Sequence, residues 1–206
     1  KIDLLPHQVV LTHRVATASP RRFLVADEVG LGKTIETGLV LRELASRGEL
    51  HRALWRIAPP LFAFAGLAAG LVYPWTEAIL ELFQPGFGAV AGDSLRWLLG
   101  GMASIYVGSI LLNAVIATGN NRAKLRIQAT GLAFNLLANL WAVPKYGIAG
   151  AGMTTCLTEA LVAAGAAIAL VRSGVPLFAR GRWLLWLGGP ALFAVGAWLS
   201  SLLPLS

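Results

Sequence analysis

Residues 52–75 read RALWRIAPPLFAFAGLAAGLVYPW, and whether this stretch is a buried strand or the start of a membrane span decides the fold of the whole chain. As a strand covered on both faces, Arg52 to Pro59 would hold Arg56 unpaired inside an apolar layer, which is costly. As a helix, residues 57–75 are about long enough to cross a hydrocarbon core of roughly 30 Å. Four more apolar runs of that length follow, near residues 95–118, 125–143, 148–171 and 184–203, and none alternates in polarity as a barrel strand would. Turn-rich stretches separate them: QPGFG at 84–88, GNNR at 119–122, PKYG at 144–147, and residues 172–182. The first run continues through Thr76 and Glu77 to Leu82 as an interfacial extension.

Composition places a seam just before this stretch. Residues 1–53 hold eight of the seventeen Lys and Arg, six of the ten Asp and Glu, all three His and a single aromatic, Phe23, whereas all seven Trp and all three Tyr lie beyond. A hydrophobic fraction of 56%, with 13% charged residues and a mean hydropathy of +0.68, points to a membrane rather than a soluble chain. The net charge of +7 is therefore not read as a nucleic-acid footprint, because the basic residues beyond the seam gather in short loops. Cys156 is the one cysteine and lies inside an apolar run, which excludes an intrachain disulfide. The chain begins at Lys1 without a Met or a secretory leader pattern, and reads as a fragment. His7, His13 and His51 have no Cys or acidic partners at metal-ligand spacing, so no zinc site is expected.

Before the seam, residues 22–38 read RFLVADEVGLGKTIETG. Gly30, Gly32, Lys33 and Thr34 make the second half of a P-loop: the glycines let backbone N–H groups approach phosphate oxygens, Lys33 reaches the β- and γ-phosphates, and Thr34 ligates Mg²⁺ when nucleotide binds. Phe23 to Ala26 reads as the preceding strand and Thr34 to about Arg47 as the following helix, its N-terminus toward the anion. The strict G-x-x-x-x-G-K-[ST] pattern fails at its first glycine, where Asp27 stands. The stretch DEVGLGKT instead resembles the loop of Swi/Snf-type helicase-like ATPases of superfamily 2, and the upstream LLPHQ fits that family as well. The resemblance covers about the first quarter of the chain and implies that Gln8 recognises the adenine edge. It also implies a second acidic motif and an arginine finger, and no acidic box follows Thr34. ATP and Mg²⁺ are thus cofactors for the N-terminal fragment alone, none is required by the rest, and no catalytic residue is assigned.

After the seam, LFQPGF at 82–87, ATGNNRAKLR at 117–126 and NLLANLWAVPKYGIAGAGMTTCLTE at 135–159 carry a second resemblance. In order and in loop chemistry they resemble the C-terminal part of polysaccharide flippases, the Wzx-like members of the MATE/MurJ superfamily that export lipid-linked oligosaccharides. The family pattern of an Asn- and Leu-rich helix, a Pro, a Tyr-Gly turn and a small-residue helix start falls on Asn135, Asn139, Pro144, Tyr146, Gly147, Gly150 and Ala151. The resemblance spans about residues 57–206. It implies transport of a lipid-linked glycan by alternating access, and only part of the second of two lobes is present.

Basic residues set the expected orientation. Arg52, Arg56, Arg122, Lys124, Arg126, Arg172, Arg180 and Arg182 fall on one side of the five runs, and Arg96 and Lys145 on the other, which predicts an inner (plasma) membrane protein with its N-terminus cytoplasmic and C-terminus outside. Polar residues inside the runs are the candidate site. Gln128, Asn135 and Asn139 share one helical face, as do Thr155, Thr158 and Glu159. Glu159 lies roughly 16 Å along its run, near the midplane, where an acid either is protonated and bonded to a neighbouring helix or faces a cavity or ion relay. The Asn pair reads as interhelical glue, and Gly66 with Gly70 as a close-packing G-x-x-x-G.

The fold class expected is all-α: a polytopic transmembrane helix bundle of about five spans at 54–206, preceded by an incomplete α/β P-loop fragment at 1–53. Its function is expected to be membrane transport of lipid-linked polysaccharide precursors by a chimeric, incomplete chain. An ATP-dependent DNA translocase is the rival reading, and a non-functional product of gene fusion or assembly error the third. The partners expected are the lipid bilayer, and a lipid-linked glycan once an N-lobe completes the site, with no nucleic acid.

Overall fold

The computed structural model describes Val10, His13, Arg14, residues 33–177 and residues 188–202, and of residues 33–38 the backbone alone. Among the described residues every regular element is helical. The expected strand at residues 23–26 lies outside them, so an α/β P-loop fold is not on view. Helix α1 spans Lys33–Ser46, close to the expected 34–47. Helix α2 spans Leu50–Val72 and continues through a 3₁₀ turn, Tyr73–Trp75, into α3, Thr76–Glu81. Helix α4 is Phe87–Ala117, α5 is Asn121–Arg172 and α6 is Gly188–Ser201.

Three of these runs are long and apolar enough to cross a membrane: Leu50–Glu81, Phe87–Ala117 and Asn121–Arg172, with mean hydropathies of 1.5, 1.7 and 1.8. These three helices start four to eight residues before the apolar runs seen in the sequence, because hydropathy marks where a lipid-compatible face begins and not where backbone hydrogen bonding begins. α2 thus opens at Leu50, passes residues 53 and 54 without a break, and carries Pro59 and Pro60 in its body. Glu81 caps the next helix, its carboxylate accepting from Gly86 N at 2.7 Å and Gly88 N at 3.1 Å. Asn120 caps α5 by accepting from Ala123 N at 3.2 Å.

Helix α5 is continuous in hydrogen-bond assignment yet is not a straight rod. Its 52 residues would reach about 78 Å if unbroken. Gly147 sits at φ 60°, ψ −140°, three residues after Pro144, and the chain reverses there. Residues 121–146 and 148–172 then lie side by side and antiparallel: Ile127 is beside Gly165, Gly131 beside Val162, and Asn135 beside Thr158. At the turn Lys145 Nζ lies 5.1 Å from the ring centre of Trp141 and 5.2 Å from that of Tyr146.

Small residues set the remaining contacts. Along α4 and the second arm of α5, Ser94 meets Gly152, Gly101 meets Cys156 and Gly108 meets Ala163, so these two helices run parallel. α2 and α6 are parallel too: Gly66 abuts the backbone of Gly189, Gly70 that of Phe193, and Gly196 that of Leu67. Trp75 Nε1 donates to Ser200 Oγ, which donates to Leu71 O at 2.7 Å. An apolar core lies at one end of the bundle, around Leu54, Leu111, Val115, Ala166 and Leu170. Leu41 and Ala45 of α1 pack onto that core, and Leu44 is 6% exposed, so the helix that follows the P-loop motif is docked on the end of the bundle.

Candidate functional site

The nucleotide-binding residues expected from sequence are only partly on view. Gln8, Gly30 and Gly32 lie outside the described residues. Lys33 and Thr34 lie in α1, where the described part of that helix begins. Their side chains lie outside the described residues.

Inside the α5 hairpin the polar residues form one chain of hydrogen bonds. Asn135 Nδ2 donates to Thr158 Oγ1 at 3.0 Å, and Thr158 Oγ1 donates to Thr154 O at 2.7 Å. Asn139 Nδ2 donates to Asn135 Oδ1 at 3.0 Å and to Asn135 O at 2.9 Å. Thr154 Oγ1, with its residue 1% exposed, closes the chain at 2.7 Å from Asn139 Oδ1 and is also 3.0 Å from Ala151 O. Four side chains from two antiparallel arms thus satisfy one another where water is scarce, which fastens the hairpin without any charge.

The other sequence candidates stand apart. Thr155 Oγ1 donates to Ala151 O at 2.9 Å, within its own helix. Gln128 is exposed, and it belongs to no side-chain hydrogen bond among the described residues. Glu159 is half-buried and is one residue beyond Thr158, outside the Asn–Thr chain. At 100° per residue it falls between the helix face that meets Gly131 and Asn135 and the face that meets Gly101 and Gly108, in the wedge between the first arm of α5 and α4. Thr154 was not singled out in the sequence. The signal for it is the turn at Gly147: a hairpin folded there places residue 154 opposite residue 139, one i, i+4 step from the pair of residues 135 and 158.

Both ends of the bundle carry a depression. At the end where α1 docks, a cavity of about 500 Å³ is lined by Arg42, Ser46, His51, Thr118, Ser173 and their neighbours. At the opposite end a cavity of about 410 Å³ is lined by Tyr73, Asp93, Arg96, Trp97, Gly100, Ala149 and Phe193. There Arg96 bridges Glu77 at 2.7 Å and Asp93 at 2.9 Å, an exposed network worth at most about 1 kcal/mol per pair. No group of three His, Cys, Asp or Glu suited to a metal ion occurs among the described residues.

No protein-family model matches the chain, and no solved structure matches it. A stretch of 54 residues, 26% of the chain, is 45% identical to the RNA polymerase-associated protein RapA of Vibrio campbellii, and it covers 6% of that protein. The chain therefore spans a small fraction of the curated relative it matches. That likeness supports the helicase-like resemblance of the N-terminal segment and lends no support to the flippase resemblance.

Proposed function

We propose that the chain is a membrane module of five crossings, part of one lobe of a carrier that moves lipid-linked polysaccharide precursors between leaflets. The observation that carries the membrane part of this reading is helix direction. α2 and α6 are parallel, α4 is parallel to the second arm of α5, and the two arms are antiparallel, which is the alternation that five successive crossings require. Leu125, Leu132, Leu136, Leu137 and Leu140 on the first arm are 59–75% exposed, a face suited to lipid and to little else. Eight basic residues against two favour the end bearing α1 as the cytoplasmic one, in the inner membrane. The glycan rests on the loop motifs alone, and Glu159, in the wedge beside the hydrogen-bonded seam, is the titratable group available to a coupling ion.

The test is site-directed labelling in a background with Cys156 replaced. Asn121→Cys should react with an impermeant thiol reagent only from the cytoplasm and Gly86→Cys only from outside; both reacting from one side would end the five-crossing reading. The substrate class is checked in vesicles, where the chain should bind a fluorescent lipid-linked oligosaccharide in preference to the same lipid without its glycan. Equal binding would remove the glycan from the proposal.

A second reading, an ATP-dependent DNA translocase, is favoured by the 45% identity over 54 residues. Against it stands the docking of α1, whose Leu41, Leu44 and Ala45 are engaged by the bundle core. In a parallel-sheet ATPase that apolar face would cover the sheet behind the phosphate loop.

A further inference from the structure

Three helices end at one place and in one way. α1 closes at Gly48 (φ 68°), α4 at Gly119 (φ 80°) and α5 at Gly174 (φ 81°). In each the residue after the glycine bonds back five positions: Glu49 N to Leu44 O at 2.8 Å, Asn120 N to Val115 O at 3.3 Å, and Val175 N to Leu170 O at 3.0 Å. This closure satisfies the earlier carbonyls of the last turn and leaves the final ones open. The open carbonyls of Ser46, Ala117, Thr118 and Ser173 receive no backbone donor among the described residues, and all four residues line the 500 Å³ cavity. Three helix dipoles thus present their negative ends to one space. The same cavity is lined by Arg42, and by His51, whose Nδ1 is 3.0 Å from Gly48 O. Arg42 forms no ion pair among the described residues.

A bare cation would meet the Arg42 guanidinium, and a bare anion would meet the carbonyls. A group carrying both charges a few ångströms apart satisfies both. We propose that this cavity binds the headgroup of an aminophospholipid, a phosphodiester bearing a primary ammonium. The phosphate pairs with Arg42, whose fork matches it, and the ammonium donates its three hydrogens to the open carbonyls. The proposal rests on the membrane reading, which places this end of the bundle at the cytoplasmic headgroup layer. A trimethylammonium headgroup has no hydrogen to donate and a glycerol headgroup has no positive charge, so the site discriminates against both.

The experiment reconstitutes the full chain in phosphatidylcholine vesicles doped with phosphatidylethanolamine, its N-methyl and N,N-dimethyl derivatives, or phosphatidylglycerol. Flotation reports insertion, and native mass spectrometry of the released protein reports retained lipid. Phosphatidylethanolamine should be retained about tenfold over phosphatidylcholine and phosphatidylglycerol, with retention falling at each added methyl. Arg42→Gln removes the partner of the phosphate that all these lipids share, and should lower retention of every one of them, phosphatidylethanolamine included, without changing flotation. Phosphatidylglycerol retained as well as phosphatidylethanolamine, or no loss along the methyl series, would overturn the site while leaving the membrane reading intact. Displacement by soluble glycerophosphoethanolamine at an equal concentration would assign the cavity to a soluble ester and refute the lipid. A chain that floats with no vesicle refutes the membrane reading and this site together.

Discussion

Replacing Gly66 and Gly70 together by Ala should loosen α6 from α2. A methyl built on Gly66 would lie 2.8 Å from Gly189 C and 3.0 Å from its Cα, and one on Gly70 would lie 2.9 Å and 3.0 Å from the same atoms of Phe193. Ordinary contact begins near 3.4 Å, and the opposing atoms are backbone, so relief requires the helices to part by about half an ångström or more. A gap of that size forfeits a quarter to a half of each dispersion contact along the seam. Overpacking of this kind costs about 1–3 kcal/mol per site, and the higher helix propensity of Ala returns about 1 kcal/mol. The net is about 2 kcal/mol for the pair, or roughly thirtyfold in an opening equilibrium. Ser200, 3% exposed against Leu71, is the reporter. With Cys156 replaced and Ser200→Cys introduced, thiol labelling at a fixed temperature should run about thirtyfold faster in the double Ala variant. Gly100, with nothing within 4 Å of a built methyl, is the control, and Gly100→Ala should leave the rate unchanged. Equal rates in the double variant and the control would refute the claim that glycine clearance holds these two helices.

Three further outcomes are expected. Thr154→Val keeps shape but leaves Asn139 Oδ1 without its donor, and should destabilise the hairpin by about 1–2 kcal/mol, while Thr155→Val, which breaks only a bond within one helix, should cost less; thermal unfolding in detergent compares the two. Glu159→Gln should leave insertion and melting nearly unchanged, whereas Glu159→Lys, with a longer cationic chain in the wedge between α4 and α5, should lower the melting temperature and the yield of inserted protein. The 206-residue chain by itself should show no nucleic-acid-stimulated ATP turnover, because Leu41, Leu44 and Ala45 of α1, which would cover the sheet behind a phosphate loop, are engaged by the bundle core, and a stimulated rate that disappears in Lys33→Ala would contradict this.

The apolar runs and the Gly66–Gly70 spacing were legible in the sequence because both depend on composition at fixed helical intervals. Helix ends were less so: nothing in the hydropathy of Leu50 to Arg56 distinguishes a helix start from a loop. The turn at PKYG was visible as a breaker cluster, yet the backbone remains nearly helical through it and reverses at Gly147 alone. The Asn135 and Asn139 face was readable from i, i+4 spacing, but their acceptors were not, because Thr154 and Thr155 have equal claim until the register of the hairpin is known. The docking of α1 was hidden for a different reason: Leu41, Leu44 and Ala45 suit the underside of a sheet as well as the end of a bundle, and local sequence does not name the surface they cover.

The parallel pairing of α2 with α6 also has a cost in time. Gly66 and Gly189 are about 120 residues apart, which at 5–20 residues per second is about 6–24 s of synthesis. Throughout that interval the glycine stripe of α2 has no helix to meet it, and it is open to any other small-residue helix that drifts past. Ribosome stalling before residue 188 would prolong the exposure, so the order in which the chain is made, as much as its final packing, determines which helix closes that seam first.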